Sequence, residues 1–188
     1  MQKVIVAVTG ASGAVYAARV IEKLIELSAR VDEVAVVFSE NGKRVWEYEL
    51  NREITFGFPV KLYDNNDMFA PMASGSAGYN AMVVVPCTMG TLGRIASGTS
   101  NDLIVRAADV MLKERRKLVL VPREAPYNLI HLQNMVTVTQ AGAVVLPASP
   151  SFYSRPSTMD ELIDTVSDRI VEMLGFAIEH YRWGHEKI

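Results

Sequence analysis

The sequence has very little cysteine and histidine and no long apolar run. Its 188 residues include a single cysteine, Cys87, so no internal disulfide can form, which is typical of proteins in reducing compartments. The three histidines, His131, His180 and His185, lack the spacing of metal ligands, and we expect no metal site. No apolar segment is long enough to cross a bilayer, and the short one at the N-terminus is interrupted by Gly10. We therefore expect a cytoplasmic protein with no membrane partner.

Positive and negative charges are nearly balanced. The chain carries 19 lysines and arginines against 21 aspartates and glutamates, for a formal net charge of −2. Nucleic acids are bound by basic surfaces, so we expect no nucleic-acid partner. Hydrophobic residues make up 49% of the chain, which is rather apolar for a monomer and predicts a homo-oligomer. The length suits one domain over residues 1–188.

Short β-branched runs alternate with segments of helical periodicity. The predicted strands are residues 4–8, 34–38, 60–63, 81–85, 118–121 and 143–146. The predicted helices follow the first turn and then cover 41–50, 102–114, 129–140 and 158–174, with Gly175 at the end of the last one. Such alternation predicts βαβ units and a mainly parallel sheet covered by helices on both faces.

The chain is organised around the stretch from Lys3 to Ala14, where a buried strand turns sharply into a helix. Gly10 and Gly13 permit this turn, and its backbone N–H groups are predicted to face a phosphate at the helix N-terminus. The turn lacks the GxGxxG spacing, so a purely structural turn is an equally good interpretation of this stretch by itself.

In a parallel sheet, ligands bind beyond the carboxyl ends of the strands. Most residues predicted at this edge are small or carry hydroxyls, which suits a flat phosphorylated cofactor, although ordinary turns are built from the same residues. They are Gly10 to Ser12, Ser39, Cys87 to Thr91 and Pro147 to Ser151, with Ser74 and Ser76 in the long 64–80 loop. The second strand ends at Phe38-Ser39 without an acidic residue for a ribose, which favours FMN over FAD or a nicotinamide dinucleotide.

Several charged residues have two interpretations. Arg123 and Glu124 follow a buried strand and could bind a phosphate and move a proton, or form a structural ion pair. Arg106 and Lys113 share one helix face and, with Arg123 and Arg169, could surround a dianion. For the charged run 113–117, however, the favoured interpretation is a solvated helix end whose cations complement the helix dipole. We expect Glu49 to face solvent, and Trp183 to be a packing anchor unless the tail covers a pocket.

The chain resembles the UbiX-type flavin prenyltransferases. The segments that carry the resemblance are TGASGA, ASGS, NAMVVVPCTMGTL, NDLIVRAADVMLKERRKLVLVPREAP, IHLQNM and GAVVLPASPSFY, in that order. They cover nearly the whole chain, and RAADVMLKERRKLVLVPRE is the most specific. The resemblance implies a three-layer, doubly wound flavodoxin-like or Rossmann-like fold and an assembly that is commonly a dodecamer. It also implies that reduced FMN receives a dimethylallyl group at N5 and C6 from dimethylallyl monophosphate, without a metal, and that UbiD-type decarboxylases use the prenylated FMN.

The resemblance also implies roles for particular residues. The residues that would hold FMN are Gly10, Ala11, Ser12, Ser39, Thr88, Met89, Gly90, Thr91 and Arg123. Those that would hold the prenyl phosphate are Arg106, Lys113, Glu124, Tyr153 and Arg169. The catalytic set would be Ser12, Glu49, Lys113, Glu124 and Trp183, with the tail from about residue 176 packed near the active site.

One departure and two alternatives accompany this resemblance. Many members have a tryptophan where this chain has Met68, which offers less π-stabilisation of a cation. A flavin-dependent decarboxylase of the phosphopantothenoylcysteine type would need an early histidine, and none precedes His131. A non-catalytic flavin carrier would need the FMN residues but not the basic set of Arg106, Lys113 and Arg169.

Overall fold

The computed structural model describes residues 1–184, in which strands and helices alternate along the chain. The strands are β1 (Gln2–Val8), β2 (Val31–Phe38), β3 (Val60–Tyr63), β4 (Ala81–Cys87), β5 (Lys117–Pro122) and β6 (Val144–Val145). The helices are α1 (Ala14–Glu26), α2 (Glu40–Leu50), α3 (Met89–Ala96), α4 (Leu103–Lys113), α5 (Leu129–Ala141) and α6 (Met159–Met173). His185 lies outside the described residues.

All six strands are parallel and form one sheet in the order β3-β2-β1-β4-β5-β6. The chain winds outward from β1 in one direction and from β4 in the other, so the order reverses between these two central strands. This confirms the predicted doubly wound parallel α/β fold, and the strand order is the one found in dinucleotide-binding Rossmann folds. Ligands of such sheets bind where the order reverses, beyond the carboxyl ends of β1 and β4.

Both faces of the sheet are buried, because side chains alternate along each strand. Val4, Val6 and Val8 of β1 pack with α1, α2 and α6 on one face. Ile5 and Ala7 pack with α3, α4 and α5 on the other face. The continuous apolar runs in the sequence follow from this double burial.

The main differences from the predicted elements are one missed helix and the ends of strands β4 and β6, while β1 and β2 begin two and three residues earlier than predicted. The helix α3 was missed, because two glycines and a threonine lower its helical propensity, although Met89, Leu92 and Ile95 have helical spacing and are buried. Strand β4 continues through Pro86 to Cys87, with a shift in register to β5 there, since Pro86 has no N–H to donate to the ladder. Strand β6 covers only Val144–Val145.

The long 64–80 loop is packed rather than open. It contains two short 3₁₀ turns, Pro71–Ala73 and Gly75–Ala77. Met72 and Tyr79 are buried in the core beneath α4. Met68 and Phe69 are exposed, and Phe69 is fully so. The loop therefore presents an apolar tip to its surroundings from a rigid base.

The last helix has the predicted ends. Thr158 and Glu161 form the predicted capping box at the N-terminus of α6. Gly175 has a φ of +103° directly after the capping residue Leu174, a conformation that favours glycine. Beyond it, Phe176 is buried against the core. Among residues 1–184, no helix combines the length and apolar character needed to cross a bilayer.

Candidate active site

A cleft of about 500 Å³ opens at the carboxyl ends of β1, β2 and β4. The backbone N–H of Thr88 donates to Thr9 Oγ1 over 2.9 Å, and Thr9 Oγ1 donates to the Pro86 carbonyl over 2.7 Å. These two bonds join the ends of the central strands where their order reverses. The residues that line the cleft are Gly10, Ser39, Glu40, Asn41, Asn65, Thr88, Gly90, Thr91, Arg94 and Asp102.

Two helices begin at this cleft, and each is capped by a hydroxyl. Ser39 Oγ accepts from the backbone N–H of Gly42 over 3.0 Å at the start of α2. Thr88 Oγ1 accepts from the backbone N–H of Thr91 over 3.1 Å at the start of α3. Thr88 Oγ1 donates its own proton to Thr91 Oγ1 over 3.0 Å, so the proton of Ser39 Oγ and those first N–H groups of each helix that lack an intrahelical acceptor remain to donate. The cleft is therefore lined with hydrogen-bond donors, which suits a phosphate.

Two glycines shape the space beside these donors. A Cβ on Gly10 would lie 2.5 Å from the Cβ of Asn41, so only glycine lets the β1 turn pass this close to α2. A Cβ on Gly90 would meet only Thr88 Oγ1, at 4.0 Å, so this backbone is open to the cleft. Donors around an open backbone fit the phosphate and ribityl chain of FMN, and Ser39, Thr88, Gly90 and Thr91 would hold them.

Sequence reasoning missed the charged pair in this cleft. The Arg94 guanidinium donates to the carboxylate of Asp102 and, over 3.0 Å, to Asn101 Oδ1. Asp102 also caps α4 by accepting from the backbone N–H of Val105 over 3.0 Å. The sequence does indicate the cap, because Asp102 precedes an apolar segment of helical periodicity. The position of Arg94 could not be predicted, because it lies on the helix α3 that was missed.

The N-terminus of α1 is occupied by a carboxylate from the protein itself. Glu49 Oε2 accepts from the backbone N–H groups of Gly13 and Ala14, each over 2.9 Å. The expected phosphate site on this turn is therefore taken, and the donors at α2 and α3 remain. Glu49 is exposed, as predicted, but its carboxylate is held in place. Desolvation alone would raise the pKa of Glu49, but hydrogen bonds from Ser12, Gly13 and Ala14 and the charge of Arg123 outweigh it and lower the pKa.

The neighbouring cleft, of about 330 Å³, lies beyond β5 and β6 and includes Arg123, Glu124, Pro147 and Ser149. Glu124 Oε1 accepts from the adjacent backbone N–H of Ala125 over 3.1 Å. Within residues 1–184 no ion pair joins Arg123 to Glu124, so the structural ion-pair interpretation is not supported. Both side chains are exposed at the edge of the sheet.

A third cleft, of about 400 Å³, adjoins the second through Pro147 and Ser149 and contains Arg169. Nearby, the rings of Tyr153 and Trp183 meet edge to face with centroids 4.9 Å apart. Both rings are otherwise exposed, so the tail reaches the 150–156 loop without burying it. Arg123 and Arg169 thus line adjoining clefts, and Tyr153 and Trp183 each follow by two residues a residue that lines the third cleft, Ser151 and Tyr181.

The structure does not bring Lys113 and Arg106 to this region within one chain. Lys113 ends α4, just before β5 begins, whereas Arg123 follows the end of β5. A strand of six residues separates these edges by about 20 Å. Arg106 lies one turn into α4, where it donates to the Ala73 carbonyl over 3.0 Å and to Asp109 over 2.8 Å.

Two further residues are held in structural surroundings. Burial raises the pKa of the Cys87 thiol to about 12, so it stays neutral and is a poor nucleophile. His131 belongs to the cap of α5, where its backbone N–H donates to Asn128 Oδ1 over 2.9 Å. In the part of the chain that the structure describes, no three acidic, histidine or cysteine side chains group as metal ligands.

The strand order and the donor-lined cleft define a nucleotide-binding α/β protein of the flavoprotein class. The model of the family described as Flavoprotein matches residues 1–174, and the chain belongs to that family. Within it, the chain belongs to the UbiX-type flavin prenyltransferases. It is 44% identical to the flavin prenyltransferase UbiX of Methanocaldococcus jannaschii over 97% of this chain and 98% of the relative. It is 40% identical to the Pseudomonas aeruginosa protein of that name, over 100% and 96% of the two chains.

Solved structures agree with this placement. AnUbiX (PadA1), in complex with FMN and dimethylallyl pyrophosphate, is 40% identical with a TM-score of 0.86, over 96% of this chain and 97% of that one. A dodecameric FMN-dependent UbiX-like decarboxylase from Escherichia coli O157:H7 is 36% identical with a TM-score of 0.89, over 97% and 99%. A PPC decarboxylase is only 17% identical with a TM-score of 0.61, over 82% and 86%, which shows a shared fold alone.

Proposed function

We propose that this protein is a metal-independent flavin prenyltransferase that transfers the dimethylallyl group of dimethylallyl monophosphate to N5 and C6 of reduced FMN. The observation that carries the proposal is the pair of distinct regions at one sheet edge. The first is a donor-lined cleft suited to FMN, and the second contains Arg123 and Arg169. A flavin carrier has no use for the second region, and the lack of a histidine before His131 argues against the decarboxylase alternative.

The flavin region orients the acceptor. Ser39, Thr88 and Thr91 would bind the phosphate, while Gly10, Ala11, Ser12, Met89, Gly90 and Arg123 would border the ring and its chain. Reduced FMN supplies the electron-rich N5 and C6 atoms at which the two new bonds form. The bond at C6 would form as the allyl double bond opens: its C2 takes up a proton while C6 loses one, and Glu49 would accept the proton from C6. Its lowered pKa keeps it ionised and ready to do so.

The second region stabilises the leaving group. The C1–O bond of the prenyl phosphate breaks, and its electron pair leaves with the phosphate. Arg169, Lys113, Arg106, Tyr153 and Glu124 would surround that phosphate, and the three cations and the Tyr153 hydroxyl would bind it more strongly as its charge grows. Trp183 would cover the isoprenyl group and keep water away, as a closing tail does in other enzymes.

We propose that the active site is completed between copies of this chain. The position of Lys113 at the opposite sheet edge from Arg123 supports this, because α4 of a second copy can bring its lysine to the first copy. Helix α5 supports it too, since it is apolar yet exposes Leu129, Ile130 and Val136. The dodecameric relative makes a dodecamer the expected assembly.

The product would be prenylated FMN, which we propose is delivered to a UbiD-type decarboxylase, as in ubiquinone biosynthesis. A cytoplasmic location fits this role, because reduced FMN and the lone thiol Cys87 both suit a reducing compartment.

The reaction is tested by incubating the protein with reduced FMN and dimethylallyl monophosphate in the presence of a chelator. Mass analysis of the flavin should show addition of one dimethylallyl unit. Parallel reactions contain dimethylallyl pyrophosphate, with and without a divalent metal. The donor and mechanism are wrong if product forms only with the pyrophosphate or only with metal.

Cofactor choice is tested by equilibrium binding of FMN, FAD and NAD to the free protein. We expect FMN to bind most tightly, because Ser39 rather than an acidic residue follows β2. Preferential binding of FAD or NAD would contradict this.

A further inference from the structure

Glu172 on α6 is shared by three basic groups from two segments of the chain. Its carboxylate accepts a hydrogen bond from Arg169, one turn earlier on the same helix. It also lies 3.4 Å from Nη2 of Arg182 and 3.7 Å from Nε2 of His180, both in the C-terminal tail. The hydrogen bond from Arg169 is the main cause of the lowered pKa of Glu172, which is therefore ionised.

The tail is attached to the body at successive points of very different strength. Phe176 is buried, and Arg30 donates to the adjacent Ala177 carbonyl over 2.9 Å. Beyond that point Ile178 packs against the core and Tyr181 makes a further contact, and the last described residues are held by Glu172 with His180 and Arg182 and by the Tyr153–Trp183 ring pair. Glu172 and one aromatic contact are therefore among the attachments of the part of the tail that carries Arg182 and Trp183.

The contacts between Glu172 and the tail are longer than good hydrogen bonds. Nε2 of His180 is buried and has no hydrogen-bond partner among the described residues, with Glu172 Oε1 just beyond bonding distance. The Arg182 contact is also at the long end of the range. Arg169 holds Glu172 most closely, so the carboxylate is drawn toward the helix and away from the tail.

We propose that Glu172 is a positioning residue that couples anion binding at Arg169 to closure of the tail. An anion that binds Arg169 withdraws it from Glu172, and the released carboxylate then closes onto His180 and Arg182. This brings the segment with Trp183 firmly over the site beside Tyr153. By linkage, a closed tail also leaves Arg169 free and raises the affinity for the anion. The inference rests on the proposed function only in taking Arg169 as a ligand of the substrate phosphate.

The test measures trypsin cleavage after Arg182 in the intact protein, because cleavage of a segment in rapid exchange follows the population of its open form. The probes are inorganic phosphate and dimethylallyl monophosphate, with no flavin present, so no turnover occurs. In the wild-type protein we expect both probes to slow cleavage by about fivefold or more, the lower end of typical coupling between sites. Acrylamide quenching gives a second readout, because Trp46 is buried and Trp183 is the accessible tryptophan.

The variants separate coupling from simple stabilisation of the tail. Glu172→Gln should be cleaved fast with or without phosphate. Arg169→Ala should be cleaved slowly without phosphate, since Glu172 is then free to hold the tail, and phosphate should change nothing. Glu179→Gln removes an equal charge from the exposed part of the same tail and should behave as wild type.

The coupling is wrong if Glu172→Gln is cleaved at the wild-type rate, if Arg169→Ala loosens the tail, or if neither phosphate protects the wild type. Prenyl transfer by the wild type is assayed alongside. Failure of the proposed function appears there as missing product, whatever the proteolysis shows. Failure of the coupling appears as unaltered proteolysis in a protein that still forms product.

Discussion

The two regions of the carboxyl edge are built in different ways. The flavin region is assembled within one chain from the ends of adjacent central strands and the first turns of α2 and α3. Its donors are backbone N–H groups and capping hydroxyls such as Ser39 and Thr88. The second region, the proposed prenyl-phosphate region, gathers the long exposed side chains of Arg123, Tyr153, Arg169 and Trp183, and Lys113 of the same chain does not reach it.

The difference shows which parts of the site are organised before any ligand arrives. Backbone donors at helix starts are fixed by the fold itself, so the flavin region needs little further ordering. Exposed arginines and a weakly attached tail must be ordered by neighbours or by substrate, which costs conformational entropy. We therefore expect changes in assembly and tail to affect turnover much more than flavin binding.

The largest effect should come from breaking the assembly. Ile130→Glu combined with Val136→Glu puts two charges on the exposed apolar face of α5. We expect light scattering to show smaller species, with FMN binding retained and activity reduced at least as much as by loss of Lys113. Ala29→Glu adds a charge in an exposed turn and should leave the assembly intact. A stable, fully active monomer would contradict the shared site.

Removing Lys113 should separate the two regions most directly. For Lys113→Ala we expect turnover to fall by about 10²-fold or more, as for a lost preorganised charge, with FMN affinity nearly unchanged. Lys117→Ala, four residues away at the start of β5, is the matched control. Mixing Lys113→Ala with Arg169→Ala subunits should restore part of the activity, because hybrid sites contain one intact copy of each residue. If verified hybrid assemblies recover no activity, Lys113 and Arg169 of the same chain serve the same site, and the shared-site proposal is wrong.

Deleting the chain from Tyr181 onward should have an intermediate effect. Loss of Trp183 and Arg182 exposes the prenyl-phosphate region to water, so we expect turnover to fall by about tenfold, equal to about 1.4 kcal/mol of transition-state stabilisation. FMN affinity should be retained. A chain that ends at Gly184 is the control and should keep its activity. Equal losses in turnover and FMN binding would show that the tail belongs to the flavin region as well.

The smallest effect concerns Glu49 and stability. Its native pKa is lowered, so its stabilising effect is present above the unfolded pKa of about 4.3 and is lost as pH falls through the lower native value. Glu49→Gln should therefore lower the free energy of unfolding by about 0.3–1 kcal/mol at neutral pH, the scale of a charge at a helix N-terminus. Urea unfolding of the flavin-free proteins should show the difference disappearing in acid. If the difference in unfolding free energy persists at acid pH, it comes from packing and not from the charge of Glu49.

Much of the fold could be predicted because strands buried on both faces leave continuous apolar runs, as in Val4 to Val8. The positions of Ser39 and Thr88 followed from the rule that such strands end at one edge. The helix α3 could not be predicted as easily, since its two glycines hide a periodicity carried by only Met89, Leu92 and Ile95. Without α3, Arg94 had no position, and the cleft was incomplete.

Local sequence determined the carboxyl ends of β1, β2 and β3, the capping box of α6 and the set of small and hydroxyl residues that follow the strands, because these depend on neighbours within a few positions. Only the tertiary structure decided that Glu49 occupies the N-terminus of α1, which leaves phosphate binding to α2 and α3. It alone decided that Lys113 lies at the opposite edge from Arg123, and that Glu172 joins Arg169 to the tail. These outcomes depend on how distant segments pack, and the spacing of residues along the chain does not encode that geometry in any local pattern.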